Sequence, residues 1–453
     1  MGYGCVLSVT DERQLEAKLD AAREAGADWA SRTPEERAAA LALFADALLR
    51  EREPLARLAT ETMGKPIVQA RAEIEKSASA FRYYAEIAPR ALATSTRSLD
   101  GDLQASIEYR PLGTLLAIMP WNFPYWQVAR AIAPALAVGN AIALKHAPIT
   151  ARIGDAFERI AREAGLPEGL VVALEVDDER TDRLIGDPRI AAVTLTGSER
   201  AGRSVAAAAG AALKKVVLEL GGSDAFLVLA GADIDESVRV GIASRYQNAG
   251  QSCIAAKRFI VEAPLYDRFC ERFTAAAVAL RVGDPFDEAT EIGPMARADL
   301  RRELDRQVRE SVAKGARLLL GGKALDRPGY FYAPTLLAEV RPGMPAFDDE
   351  TFGPLAAIVR AENANDALAL ANRSRYGLGA TIFSGDSERA RELAAALEVG
   401  TVAIGTMVAS DPRLPFGGVK ASGFGRELGE IALFEFANVR AIRFRAERSF
   451  RAR

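Results

Sequence analysis

One of the three cysteines in the chain, Cys253, sits in "YQNAGQSCIAAKRF" between a Gly-Gln pair and two basic residues. A thiol is nucleophilic as its thiolate, so a reactive one needs nearby positive charge or backbone N–H groups and an exposed loop to sit on. "NAGQSC" supplies the loop. Cys270 falls within the helical pattern "LYDRFCERFTAAAVAL" and Cys5 has no chemical company, so both read as small buried hydrophobes. Glu219 ends the apolar strand of "KKVVLELGGSDAF", and the ends of parallel strands are where such sheets place ligands. Asn122, among the aromatics and prolines of "IMPWNFPYW", carries an amide suited to donating to a developing oxyanion. Taken singly, Glu219 reads as a solvated strand end and Asn122 as a turn residue bonded to its own backbone. His146 is the sole histidine. Carboxylates and thiols must therefore carry most acid–base work, and a histidine-rich metal site is excluded.

The elements that must position these residues follow from pattern. With 453 residues, 49% of them hydrophobic, the chain is large enough for two or three lobes. Helical spacing runs from Asp11 to about Leu49, with "TPEE" as a cap signal, and again through "KPIVQARAEIEKSASAFRYYAEIAPRAL". Strands begin at "LQASIEYRPLGTLLAIMPW". Beyond it, "NAIALK", "VVALEV", "IAAVTLT", "KKVVLEL" and "DAFLVL" alternate with alanine-rich helical windows, the rhythm of a parallel α/β sheet. A second series, including "AAKRFIVEA", "AAIVRA", "GATIFSG" and "GTVAIG", follows Gly222 and predicts a second α/β lobe. "LPFGGVKASGFGRELG" reads as a glycine-dense loop, and "FEFANVRAIRFR" as a late strand able to pair with another sheet edge.

Charge and hydropathy exclude other classes. The 58 basic and 61 acidic residues leave a net charge of -3 without a long single-sign run, so no nucleic-acid partner is expected. The most apolar windows are broken by Pro, Asn and Lys before the roughly 20 residues needed to cross a bilayer. No membrane partner and no secretory leader are read, and the sparse cysteines suit a reducing, cytoplasmic compartment.

"PWNFP", "LKHAP", "TLTGSERAG", "LELGGSD", "GQSC", "ETFGP" and "PFGGVKASGFGRE" occur in the order found in aldehyde dehydrogenases, across nearly the whole chain. The sequence most resembles the short bacterial NAD(P)-dependent succinate-semialdehyde dehydrogenases, which carry "YRPLGT", "KHAP" and "YQN" in the same places. The resemblance implies an α/β aldehyde dehydrogenase-like fold. A Rossmann-type cofactor domain would take residues 1–94 and 112–220, an α/β catalytic domain 221–432, and a small β oligomerisation element 95–111 and 433–449. It makes Cys253 the nucleophile, Glu219 the base for the deacylating water, and Asn122 with the Cys253 N–H the oxyanion holders. It assigns Trp121, Lys145, Gly197, Ser198, Gly202, Leu220, Glu350 and Phe352 to the cofactor, NAD or NADP, with no metal. The substrate is a small aldehyde, and the assembly a homodimer or a dimer of dimers.

Departures from the family pattern bear on specificity. NAD-selective relatives often place a glutamate three residues after the lysine, where this chain has Pro148, so a 2′-phosphate would meet no carboxylate and Lys145 could pair with it. His146 reads as bonded locally. Gln247 stands where better-known succinate-semialdehyde enzymes have an arginine. Arg130 matches a second carboxylate anchor or, equally, forms a salt bridge; Arg413 is an alternative. Tyr125 and Trp126 would wall the substrate tunnel, and Ser410 lies in the loop that closes it. The family's opening strand segment is not present, which points to a naturally short N-terminus or a misplaced gene start. Succinate semialdehyde is thus the expected substrate; a broad aliphatic or aromatic specificity, and a silent scaffold on the same fold, are the rival readings.

Overall fold

The computed structural model describes residues 10–445, so Cys5 and the tail beyond Arg445 lie outside the described residues. Four helices, Glu12–Ser31, Pro34–Arg50, Arg52–Met63 and Ile67–Ala91, open the chain. Reciprocal side-chain caps, Asp11 with Gln14 and Thr33 with Glu36, start the first two. The single helical opening read from spacing is therefore divided at Arg32, where the backbone turns extended ahead of the Thr33 cap and Pro34.

A six-stranded sheet follows, in the spatial order Gly423–Phe424, Lys215–Glu219, Ile190–Thr196, Thr114–Met119, Ala141–His146, Val171–Ala173. Neighbours are parallel, apart from the antiparallel Gly423–Phe424. These strands are nearly continuous apolar runs because helices cover both faces. The chain order reverses between Thr114–Met119 and Ile190–Thr196, and a crevice opens beyond the carboxyl ends of strands at such a switch point. Asn122 leaves one of those ends and Gly197 the other.

A seven-stranded sheet is built from Arg317–Leu320, Thr335–Ala338, Leu355–Ala361, Ala256–Glu262, Asp224–Val228, Gly379–Phe383 and Thr401–Ile404. Alternation along its strands separates two cores: Ala225, Leu227, Ile260 and Leu337 pack on one face, Phe226, Val228, Phe259 and Leu336 on the other. Ser95–Ser98, Leu103–Pro111 and Ala437–Arg445 form a three-stranded antiparallel sheet that is largely exposed.

The glycine-dense segment does more than loop. Val419–Lys420 pairs with Tyr376–Gly377 in a small sheet of two strands, and Gly423–Phe424 joins the six-stranded sheet beside Lys215–Glu219, so one short segment links that sheet to the strand that leads into Gly379–Phe383. Gly423 has φ +109, and a Cβ there would lie 2.0 Å from the Leu218 carbonyl oxygen. Only glycine permits that approach. No helix of the described residues is long and apolar enough to cross a membrane.

Candidate active site

Cys253 follows a strained turn. Asn248, Ala249 and Gly250 take φ of 52°, 53° and 73°, three successive residues in the left-handed region. Such a run persists only where the surroundings over-determine it. Here Asn248 N–H donates to Gln69 Oε1 (2.8 Å), Asn248 Nδ2 to the Asn122 carbonyl (2.8 Å), and Arg245 Nη2 to the Gly353 carbonyl (2.9 Å). Gln251 Nε2 donates back to the Asn248 carbonyl, and Gln251 Oε1 accepts from Ala296 N–H. Below the turn, buried Lys257 Nζ donates to the carbonyls of Ser252 (3.0 Å) and Cys253 (2.7 Å). The cysteine backbone is held from both sides.

Asn122 belongs to this assembly. Its Nδ2 donates to the Gln251 carbonyl at 3.0 Å, which uses one of its two N–H groups and leaves the second without an acceptor among the described residues. Cys253 itself is partly buried, and burial pushes its thiol up to about 11, opposed by the positive charges of Arg130 and Lys257. The resting group is a neutral thiol, shielded more than an exposed loop would allow. Glu219 is buried at its strand end with Oε1 unpartnered, and burial, then the negative charge of Glu427, hold its carboxyl well above the usual range; Arg130 and Arg426 oppose the shift. Gly417 leaves room for it, since a Cβ there would sit 2.7 Å from Glu219 Oε1.

The residues expected around a dinucleotide gather on the crevice. Ser198 caps the helix Glu199–Ala211, its Oγ accepting from Ala201 N–H, so the first turn presents free N–H groups and the positive end of the helix dipole. Gly197 N–H donates to the Glu219 carbonyl, which ties this turn to the catalytic strand end. At Gly202 a Cβ would lie 2.5 Å from Leu220 Cδ1, so the helix packs on the strand end only with glycine there. Glu350 Oε1 accepts from Gly222 N–H at 3.0 Å, and Phe352 meets Trp121 edge to face at 5.7 Å between centroids. Lys145 Nζ lies 3.6 Å from the exposed Asp178 carboxylate. A helix N-terminus, a lysine, the Glu350 carboxylate and an aromatic wall fit a nicotinamide dinucleotide. One expectation is corrected, because Asp178 restores a carboxylate near Lys145 that Pro148 does not supply. His146 bonds locally, Nε2 to the Pro124 carbonyl and Nδ1 to Thr150 Oγ1, and burial lowers it to about 4.

The residues assigned to substrate divide. Trp126 Nε1 donates to Ser410 Oγ at 2.8 Å, so these two meet. Tyr125 does not join them: its hydroxyl donates to the Leu55 carbonyl, its ring packs on Phe157, and it stays in the helical core. Arg130 is buried against Glu427, Nε to Oε2 at 2.7 Å, with its guanidinium over the Phe416 ring. The salt-bridge alternative is the one seen, although Nη2 has no partner. Gln247 is exposed at the end of the helix Ile234–Tyr246 and makes no side-chain hydrogen bond, while exposed Arg413 pairs with Asp411. Lys76, Asp178, Lys257 and Glu427 were not singled out from sequence. Glu427 lay inside the "GFGRE" motif; a lysine three positions after Glu73 looks in sequence like any helical surface charge.

A switch-point crevice that joins a held cysteine, a buried glutamate and an asparagine amide is the arrangement of an enzyme of the α/β class. The chain belongs to the aldehyde dehydrogenase family, whose model matches residues 4–442, and is an oxidoreductase of that family. It is 51% identical to the succinate semialdehyde dehydrogenase (NAD(P)+) Sad of Escherichia coli, over 94% of this chain and 92% of the relative. It is 46% identical to a probable NADP(+) succinate-semialdehyde dehydrogenase of Synechocystis sp., over 95% and 94%. Among solved structures, the succinic semialdehyde dehydrogenase of Streptococcus pyogenes in complex with NADP+ matches with a TM-score of 0.95 and 39% identity, covering 98% of this chain and 97% of that one.

Proposed function

We propose that the chain oxidises succinate semialdehyde to succinate with NAD or NADP, through a thioester on Cys253. The observation that carries this reading is the bonding of Asn122 into the Cys253 loop, with the buried carboxyl of Glu219 on the neighbouring strand end. Cys253 Sγ, on giving its proton to solvent water, attacks the aldehyde carbon, and the free N–H of Asn122 Nδ2 with the Cys253 N–H takes the developing oxyanion. When bound, the nicotinamide dinucleotide supplies the acceptor for the hydride released as the adduct collapses to a thioester. Glu219, once ionised, takes a proton from the water that cleaves the thioester and returns it to the departing Cys253 thiolate, releasing acid and thiol. Its raised pKa makes the ionised form a strong base, and a neutral resting form repels no incoming anion.

Initial rates of reduced-nicotinamide formation with succinate semialdehyde, hexanal and benzaldehyde, each with NAD and with NADP, test the proposal. A clear preference for succinate semialdehyde supports it. Comparable rates on the uncharged aldehydes favour broad specificity, a reading that draws on exposed Gln247 and on the engagement of Arg130 by Glu427. We assign oligomerisation to the three-stranded sheet, whose edge strand Ala437–Arg445 exposes Val439 and Phe444, and expect a homodimer or homotetramer in the cytoplasm.

A further inference from the structure

The helix Ile67–Ala91 carries a cation that no carboxylate neutralises. Lys76 Nζ donates to Ser410 Oγ at 3.1 Å and stands 4.4 Å from the centroid of the Trp126 ring. The residue is only partly buried. Among the described residues it has no acidic partner within 4.0 Å. Glu73, three positions earlier, is occupied by Lys65 Nζ and by the N–H groups of Tyr125 and Trp126. Asp411 is occupied by Arg413. A cation held this way in a restricted space favours an anionic ligand, because the desolvation cost is already met and the ligand supplies the missing charge.

Ser410 strengthens the case. Its oxygen accepts from both Lys76 Nζ and Trp126 Nε1, and its own O–H has no acceptor among the described residues. A hydroxyl that accepts twice has its proton left to give. Trp126, which bonds Ser410 and faces Lys76, opens its helix four residues after Asn122, the residue bonded into the Cys253 loop. Burial, then Arg130, lower Lys76 to about 8, with Glu73 and Asp411 opposing.

We infer that Lys76 and Ser410 form the carboxylate subsite of the tunnel: Lys76 Nζ and Ser410 O–H bind the far carboxylate of the substrate, and Trp126 holds both donors in place. The inference deepens the proposed function and rests on its substrate reading. It accounts for carboxylate recognition with glutamine at position 247 and with Arg130 drawn toward Glu427.

The test compares kcat/KM for succinate semialdehyde and for pentanal, a similar-length aldehyde without the carboxylate, in the wild type, Lys76→Met and Lys76→Arg, together with inhibition by succinate. The expected result is a fall of about tenfold to a hundredfold in the succinate semialdehyde to pentanal ratio for Lys76→Met, from loss of one charge-assisted contact. Succinate inhibition weakens in parallel, and Lys76→Arg restores part of both. An unchanged ratio in Lys76→Met, with a wild type that prefers succinate semialdehyde, overturns the inference and leaves the proposed function standing. A wild type without that preference overturns the substrate reading itself. Should Lys76→Met fold poorly, Ser410→Ala provides the same ratio, and no change there counts against the subsite equally.

Discussion

Arg130 Nε and Glu427 Oε2 meet at 2.7 Å in the buried space beside Glu219, so the proposed base shares its surroundings with an ion pair of opposite charges. The two partners pull on it in opposite directions: Glu427 raises the Glu219 carboxyl, and Arg130 lowers it. The pair thus fixes the pH range in which Glu219 serves as a base.

Replacing Glu427 by Gln removes the carboxylate that raises Glu219 and leaves Arg130 less compensated, and both changes lower the Glu219 pKa. The acid limb of the pH–rate profile for thioester hydrolysis should move to lower pH. A pre-steady-state pH series measures this, and an unmoved limb argues against electrostatic coupling. The variant should also lose about 3 kcal/mol of stability, because a buried guanidinium is left without its counterion.

His146 is the sole histidine, so a single substitution isolates the imidazole contribution to stability. Its folded-state pKa is about 4 against an ordinary value of 6.5, with burial as the cause. The unfolded chain therefore binds the proton first as pH falls. The His146 contribution is constant above about pH 6.5 and declines between that value and about pH 4, by about 3 kcal/mol in all, while Asp224, raised by burial to about 7, contributes in the opposite sense over the same range. Urea unfolding of the wild type and of His146→Gln across that window should differ by this decline, and identical pH slopes would contradict it.

Asp178 lies 3.6 Å from Lys145 and should disfavour a 2′-phosphate that seeks the lysine. Asp178→Ala is expected to tighten NADPH binding severalfold relative to NADH, a modest change because the carboxylate is exposed and screened. Fluorescence titration of the two reduced dinucleotides, without substrate, reads this directly. Equal shifts for both would show that Asp178 does not sense the 2′ position.

Gly250 has φ +73, and a Cβ would stand 2.2 Å from the Gly353 carbonyl oxygen. Gly250→Ala should cost ~2 kcal/mol or more and disorder the turn that carries Cys253. Thermal unfolding and the rate of Cys253 alkylation check it together. A stable variant with wild-type alkylation would mean that the strained turn does not position the thiol.

Much of this site was legible in sequence. The strand ending at Glu219 and the Cys253 loop each carry a local signal, Ser198 came only with the family resemblance, and the order of the motifs along the chain carried the family. The Thr33 cap was visible too, though the break at Arg32 was not, because Leu15, Leu19 and the residues after Pro34 keep helical spacing across it. Side-chain partners were the illegible part. Nothing in "RAIAPALAV" or "FGRELG" says that Arg130 meets Glu427, and nothing in "VDDERTD" brings Asp178 to Lys145, since both contacts depend on how distant elements pack. Tyr125 shows the converse: an aromatic beside the oxyanion amide is expected at the tunnel, yet the helix geometry turns its ring onto Phe157.

The central claim is a thioester on Cys253 that Glu219 prepares for hydrolysis. The most direct test mixes Glu219→Gln with succinate semialdehyde and excess dinucleotide, follows reduced nicotinamide, and quenches for intact-protein mass. The account predicts a burst of one equivalent per site, little further turnover, and a mass gain of one succinyl group that disappears in the Cys253→Ala, Glu219→Gln double variant. Steady turnover at the wild-type rate, or a burst with no acyl group on Cys253, would contradict it.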